Sequence, residues 1–415
     1  MAGVLVVMGS GETAPTMVKP HRAIFERIGA APAVLLDTPY GFQENADDIS
    51  TKAMAYFAAS VGQRVGTVSW RVTPPPGLAR DRALASLDEA GWIFAGPGSP
   101  TYALRQWADT PVPQVFLDSL ARGAVVVFAS AAALTLGSHT VPVYEIYKAG
   151  FDAAWVPGLD LVRQVTGLPA VIIPHYDNAE GGHHDTRFCY LGERRLSTME
   201  RELPEDTVIL GVDEHTGVLF DLDARTATVV GRGGFTVRRQ GRSTVHPTGS
   251  VLPFDALSGP DALPSPDSVV SDAAGPPVVE PTETGGSDSL RADADRLDAA
   301  FTAAYAARDV DGCVAAVLDL EQVLVDWSTD TLTSDEGTYA RTVLRRMVLR
   351  LGELAVAGAA DPRTVVGPFV EALLELRTSA RAARDFATSD RVRDCLVGAG
   401  VEVHDTPEGP TWNLR

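Results

Sequence analysis

The chain has 415 residues, with 35 Lys and Arg against 54 Asp and Glu, so its formal net charge is −19. This length predicts two or three domains, and the negative charge argues against nonspecific binding to nucleic acid or to anionic membranes. Three widely separated cysteines suit a reducing cytoplasm and form neither a disulfide framework nor a zinc site.

The N-terminal run 1–8 is apolar but lacks a basic segment, which predicts a first strand and no signal peptide. No apolar run is long enough to cross a bilayer.

Short β-rich runs then alternate with helical patterns, which predicts a mostly parallel sheet sandwiched by helices, an α/β fold. The predicted strands are 4–8, 34–37, 66–72, 92–95, 124–128 and 170–173, the predicted helices are 17–28, 46–60 and 81–90, and an antiparallel finish is predicted over 207–220 and 226–239.

The composition changes after this α/β domain, which we assign to residues 1–246. Pro, Ser, Gly and acidic residues dominate 247–290, which predicts a disordered acidic linker. From 291 to 415, Ala, Leu, Val and Arg recur at helical spacing with few breakers, which predicts a small α-helical bundle.

Ser130 ends the apolar run 123–134, Gly-Ala-Val-Val-Val-Phe-Ala-Ser-Ala-Ala-Ala-Leu. A buried strand that stops at a hydroxyl and continues with tiny residues is typical of a sharp strand–turn–helix corner that exposes a nucleophile. The alternative is that Ser130 only caps the following helix. If Ser130 attacks a carbonyl, the N–H groups of Ala131 and of Gly98, in the Gly-rich turn after the strand 92–95, are the candidate oxyanion donors.

The loop after the strand 170–173 supplies the other candidates. A serine needs a base, and His175 sits directly at the strand end, so we predict it as the base. Glu145 is our choice for the acid that orients His175, with Asp177 as an alternative. We further predict that Tyr176, Asp177 and Arg187 bind substrate.

The segment His183-His184-Asp185 is the nearest thing to a metal site in this sequence. Adjacent ligands are geometrically awkward and no partnering His or Cys pair occurs elsewhere, so we predict no metal. We expect no cofactor.

Several motifs together resemble the peptidase S51 family, the cyanophycinase and aspartyl-dipeptidase group of serine hydrolases. They are 95–100 (Ala-Gly-Pro-Gly-Ser-Pro), 128–133 (Phe-Ala-Ser-Ala-Ala-Ala), 174–179 (Pro-His-Tyr-Asp-Asn-Ala) and 211–216 (Gly-Val-Asp-Glu-His-Thr). The resemblance implies a class I glutamine amidotransferase-like fold, with Ser130 as nucleophile, His175 as base, and Gly98 and Ala131 at the oxyanion. Phe128 and Ala132 replace the family's elbow glycines, and its acidic third residue would align near 139–140, where this chain has no carboxylate.

Residues 368–412 resemble the C-terminal region of cysteinyl-tRNA synthetase, with Arg-rich helical spacing followed by a Gly turn and a closing Trp412. The nucleotide signatures and zinc ligands of such a synthetase do not occur, which excludes aminoacylation. Acidic residues outnumber basic ones here and lysine is absent, so tRNA binding is not expected. Arg377, Arg381 and Arg384 form either a basic stripe or, in our preferred interpretation, ion pairs with the acidic residues 385, 390 and 394.

These features favour a cytoplasmic serine hydrolase that cleaves a small peptide or amide bond through an acyl-enzyme. Two alternatives stay open: a noncatalytic amidotransferase-like binding module, and a regulator associated with tRNA or a synthetase. The sequence leaves open whether the chain forms a homo-oligomer.

Overall fold

The computed structural model describes residues 3–181, 184–258, 289–327, 336–357, 362–406 and 409–414, without the side chain of residue 357. The chain divides into two units, Met1–Asp288 with Val325–Asp335, and Ser289–Leu324 with Glu336–Arg415. Residues 259–288, most of the predicted linker, lie outside the described residues, as does His183.

The first unit alternates strands and helices. Its strands are β1 (Val4–Met8), β2 (Ala33–Leu36), β3 (Gly66–Val68), β4 (Trp92–Ala95), β5 (Val125–Ala129), β6 (His139–Thr140), β7 (Val156–Pro157), β8 (Ala170–Ile173), β9 (Val208–Val212), β10 (Thr216–Asp221), β11 (Thr226–Gly231), β12 (Gly234–Arg239), β13 (Arg242–Pro247) and β14 (Val251–Pro253). Its helices are α1 (Val18–Phe25), α2 (Ala46–Tyr56), α3 (Leu78–Asp88), α4 (Pro100–Trp107), α5 (Val112–Ala121), α6 (Ala131–Leu134), α7 (Val143–Tyr147), α8 (Leu161–Thr166), α9 (Gly192–Glu200) and α10 (Phe254–Ser258).

A sheet of eight strands forms the centre of this unit, in the order β14-β11-β10-β1-β5-β4-β2-β3. Strands β1, β5, β4, β2 and β3 are parallel, whereas β10, β11 and β14 extend the sheet by antiparallel pairing. Side chains alternate across β5: Val126 and Phe128 pack in one apolar cluster, and Val125 and Val127 pack in the other. A strand buried on both faces is apolar throughout, as the sequence of β5 is. The predicted α/β fold is confirmed.

A second sheet has the order β13-β12-β9-β8, in which β8 and β9 are parallel and the other pairs antiparallel. The predicted antiparallel finish over 207–220 and 226–239 was wrong in part, because each run divides into two strands that belong to different sheets. The first run forms β9 and β10, and the second forms β11 and β12. Parallel strands in one sheet bring the residues that follow them to the same edge, and this places the segments after β8 and β9 together.

The α/β unit extends beyond residue 246, where the composition predicted its end. Strand β14 pairs with β11 through Thr226 and Pro253, and Phe254 and Leu257 of α10 are buried in the core. The α/β unit therefore includes residues up to Ser258.

The second unit is mainly helical, as predicted, and ends in a hairpin. It contains α11 (Leu290–Ala306), α12 (Val310–Asp326), α13 (Glu336–Ala357), α14 (Pro362–Ala382), α15 (Phe386–Gly398), β15 (Val401–Thr406) and β16 (Gly409–Leu414). Arg377 is buried and donates to both carboxylate oxygens of Asp405 at 2.7 and 2.9 Å, and Arg381 contacts the same carboxylate. Two arginines of the predicted stripe are thus ion-paired, but with Asp405, and Asp385 instead caps α15.

Within the described ranges, no helix has both the length and the apolar composition needed to cross a membrane.

Candidate active site

Ser130 occupies the corner between β5 and α6. Its backbone has φ 50° and ψ −120°, a conformation that residues with a side chain rarely adopt. The next residues, Ala131 and Ala132, are buried and small enough for the chain to fold back at once into α6. This is the strained strand–turn–helix geometry that presents a nucleophile above the carboxyl edge of a sheet.

His175 follows β8 and brings its ring to Ser130. Its Nε2 lies 2.9 Å from Ser130 Oγ, within the distance for direct proton transfer. The strands that carry the two residues belong to different sheets, so the pair forms where the two sheets end side by side. His175 also has a positive φ of 49°, a conformation that residues with a side chain rarely adopt.

The carboxylate behind His175 is Glu214. Its Oε1 lies 2.8 Å from His175 Nδ1, and Glu214 comes two residues after β9, the parallel neighbour of β8. With Nδ1–H donating to Glu214, Nε2 is the acceptor for the Ser130 hydroxyl. The assignment of this position to Glu145 was wrong: Glu145 lies on α7 and accepts a hydrogen bond from the Thr101 hydroxyl at 2.6 Å.

Two neighbours fix Glu214. The side-chain amide of Asn178 donates to Glu214 Oε1 at 3.0 Å, and Asp177 accepts the backbone N–H of Glu214 at 2.8 Å. Burial alone would raise the pKa of Glu214, but hydrogen bonds from His175 and Asn178 outweigh burial and leave that pKa below its ordinary value. Glu214 is therefore ionised at neutral pH. Asp177 supports the acid and is not itself the acid.

Gly98 and Ala131 are the predicted oxyanion donors. Gly98 has φ 140°, and a Cβ at this position would lie 2.0 Å from the carbonyl oxygen of Pro39, so only glycine fits. Ala131 is the first residue of α6, where backbone N–H groups have no acceptor within the helix. Both residues line the same cavity as Ser130, where their N–H groups can meet a carbonyl oxygen.

The catalytic cavity, as we name the space above Ser130, has a volume of about 390 Å³. Aromatic and charged side chains line it beyond the Ser130–His175 pair, among them Tyr144, Tyr147, Lys148, Glu180 and Tyr190. The Tyr190 hydroxyl donates to Glu180 at 2.6 Å, and the Lys148 ammonium lies 5.1 Å from the centre of the Tyr147 ring. The cavity thus offers one cation and one anion to a small polar ligand.

The three predicted substrate-binding residues do not contribute to the described lining of this cavity. Tyr176 is buried, with its ring against Gly211 and 4.5 Å from the Phe188 ring, and burial raises its pKa to about 12. Arg187 forms an ion pair with Asp185 at 2.8 Å. Their polarity in a loop near the site suggested contact with ligand, but local packing and local pairing account for both.

Cys189 lines the cavity as well, in a segment the sequence did not mark. Phe188, Cys189 and Tyr190 have consecutive positive φ values of 60°, 53° and 66°, which turns the chain back toward Ser130. Burial, with a smaller effect of Glu214, raises the pKa of the Cys189 thiol to about 12. The thiol is therefore neutral and is a weaker candidate nucleophile than Ser130.

No group of three or more His, Cys, Asp or Glu side chains in the described parts of the chain is placed to bind a metal ion. Asp185, from the segment considered for metal binding, accepts hydrogen bonds from the Arg187 guanidinium on both carboxylate oxygens.

Comparisons with known proteins give a different result for each end of the chain. No protein-family model matches it. The cysteine–tRNA ligase of Arthrobacter sp. (strain FB24) is 40% identical over 90 residues, which are 20% of this chain and 18% of that protein. Solved structures similar to the N-terminal part include a peptidase from an acI-B1 actinobacterium (17% identity, TM-score 0.49, 61% of this chain and 97% of that one) and a putative peptidase E protein of Listeria monocytogenes EGD-e (12% identity, TM-score 0.38, 58% and 99%).

The chain spans only 10 to 25% of the length of the cysteine–tRNA ligases it matches, so the similarity concerns a limited region.

Proposed function

We propose that this protein is a serine hydrolase that cleaves a small peptide or amide bond through an acyl-enzyme. The observation that carries the proposal is the continuous hydrogen-bonded series Ser130–His175–Glu214, with distances of 2.9 and 2.8 Å, that begins at a strained corner. A packing role alone does not require a strained serine and an ionised carboxylate on opposite sides of one imidazole.

The reaction follows from this arrangement. As Ser130 Oγ attacks the substrate carbonyl, its proton moves to His175 Nε2, and Glu214 stabilises the imidazolium that forms. The N–H groups of Gly98 and Ala131 stabilise the oxyanion, a contribution of about 2.7–4 kcal/mol for a single donor in other hydrolases. His175 then gives its proton to the leaving amine. Water, deprotonated by His175, attacks the Ser130 ester and releases the acid.

A fluorophosphonate probe tests this proposal because it reacts much faster with an activated serine than with an ordinary one. We expect labelling of the full-length protein that disappears in Ser130→Ala and persists in Ser138→Ala, a serine that does not contact His175. Absence of labelling in the intact protein would instead favour the noncatalytic binding module. Labelling that persists in Ser130→Ala would show that another residue reacts and that Ser130 is not the nucleophile.

The similarity to cysteine–tRNA ligases supports a second candidate, a regulator associated with tRNA or a synthetase, which uses the C-terminal unit. Electrostatics weigh against it, since Arg377 and Arg381 are already paired with Asp405. Binding of tRNA that weakens steeply with added salt would support this role. Absence of tRNA binding at low salt would exclude the tRNA-associated form of this role.

The three cysteines Cys189, Cys313 and Cys395 are free thiols, which supports our placement of the protein in the cytoplasm.

A further inference from the structure

A second cavity adjoins the catalytic cavity, and Tyr144 lines both. The second cavity, which we call the aromatic cavity, has a volume of about 570 Å³. Ser99, the residue after the oxyanion candidate Gly98, also lines it. A ligand whose carbonyl meets Gly98 can therefore extend past Tyr144 into this space.

The main chain holds the aromatic cavity in place next to the oxyanion turn. The Ser99 N–H donates to the Pro39 carbonyl at 2.8 Å, which ties the turn to the segment that leads into Phe42. The Phe42 and Tyr102 rings are 5.2 Å apart, and the Tyr102 hydroxyl donates to the Arg71 carbonyl at 2.8 Å. Phe42 is 49% exposed and Tyr144 41%, so two of the three rings present apolar surface that nothing in the described chain covers.

Two charged residues, Glu145 and Arg105, line the aromatic cavity, and they differ in whether they can bind a ligand. Glu145 accepts from Thr101, and its other oxygen is buried, so this carboxylate belongs to the wall. The Arg105 guanidinium lies 4.9 Å from the centre of the Tyr102 ring, and Arg105 is exposed. An exposed guanidinium beside aromatic rings suits a ligand that joins a carboxylate to an aromatic group.

We propose that the aromatic cavity is a substrate subsite for a group that carries an aromatic ring next to a carboxylate. The ring packs on Phe42 and Tyr144, and the carboxylate pairs with Arg105. This inference rests on the proposed function, because it describes the part of the substrate remote from the bond that Ser130 attacks.

Ligand-observed NMR on the full-length protein tests the subsite without turnover. The probes are 3-phenylpropionate, 3-phenylpropionamide, which lacks the charge, and propionate, which lacks the ring. We expect 3-phenylpropionate to bind at least tenfold more tightly than either of the others. Phe42→Ala and Arg105→Gln should each weaken its binding at least fivefold. Matched controls are Phe151→Ala, a phenylalanine that is 66% exposed outside both cavities, and Arg82→Gln, an exposed arginine of α3.

Equal binding of all three probes, or binding that Phe42→Ala and Arg105→Gln leave unchanged, would overturn the subsite. Fluorophosphonate labelling of Ser130 is measured on the same samples and reports on the hydrolase proposal alone. Labelling without selective probe binding removes only the subsite. Selective binding without labelling removes the hydrolase, and the aromatic cavity is then a ligand site and not a substrate subsite.

Discussion

Asn178 donates its side-chain amide to Glu214 Oε1, the same oxygen that lies 2.8 Å from His175 Nδ1. Asn178 is fully buried, and its own backbone N–H donates to the His175 carbonyl. Asn178 therefore contacts both the backbone of His175 and the carboxylate of Glu214. These two hydrogen bonds of a buried residue help to hold Glu214 in position relative to His175.

Glu214→Gln should slow fluorophosphonate labelling of Ser130 by about 10³- to 10⁴-fold, since a neutral amide no longer stabilises the imidazolium and permits the wrong tautomer. The measurement is the second-order labelling rate at neutral pH. Glu145→Gln separates the two carboxylates, because it removes a charge that contacts Thr101 and not His175, and it should slow labelling less than tenfold. A larger effect of Glu145→Gln than of Glu214→Gln would contradict the assigned acid.

The sequence was sufficient to place Ser130 and His175 close together, since Ser130 directly follows a short apolar strand and His175 lies two residues after the end of another. It was not sufficient for Glu214. That residue also follows a buried strand, β9, but the run 207–220 has no break strong enough to show that two strands from different sheets meet there. The stretch 211–216 stood out as a motif, and only the parallel pairing of β8 with β9 shows that it faces His175.

Glu145 is the opposite case, a residue that the sequence assigned to the site but that lies elsewhere. It follows the Ser130 helix closely in sequence, which made it a reasonable acid, but α7 directs it to Thr101. Sequence proximity decides contacts within one element, whereas contacts between loops depend on sheet order, which composition and periodicity do not encode.

Ser130→Gly should be more stable than Ser130→Ala by about 1 kcal/mol. Both variants lose the hydroxyl, but only glycine adopts φ 50° and ψ −120° without strain, and that relief exceeds the chain entropy that glycine adds. The free energy of unfolding from urea titration provides the measurement. Equal stability of the two variants would mean that the relief of strain at this corner does not exceed the chain entropy that glycine adds.

The free energy of unfolding depends on pH in part through the ionisation of Asp213. Burial and the nearby charges of Asp177 and Glu214 raise its pKa to about 6, while an unfolded aspartate has a pKa of about 3.9. Between these values the folded state binds more protons, so the contribution of Asp213 to stability falls as pH rises from 4 to 6 and stays unfavourable above 6.

Asp213→Asn removes this charge and keeps an oxygen that can accept the Gly234 N–H. We therefore expect the variant to be more stable than the natural chain at pH 7, by about 1 kcal/mol, with the advantage disappearing near pH 4. Urea titrations at pH 7 and pH 4 measure the difference in free energy of unfolding between the variant and the natural chain. Asp109→Asn, at an exposed position, is the matched control and should shift neither value. An advantage that grew toward pH 4 would show that the Asp213 pKa is not raised.

Arg238 joins the second sheet to α9, which follows the loop that carries His175. Its side chain is only 3% exposed and pairs with Glu193 at 2.7 Å and Glu200 at 3.0 Å. Arg238→Met should lower the free energy of unfolding by about 3 kcal/mol, because Glu200, 10% exposed, loses its partner while remaining buried. Arg242→Met, at an exposed position of β13, should change it by less than about 0.5 kcal/mol. If Glu200→Gln combined with Arg238→Met restored none of the loss, the unpaired carboxylate would not be its cause.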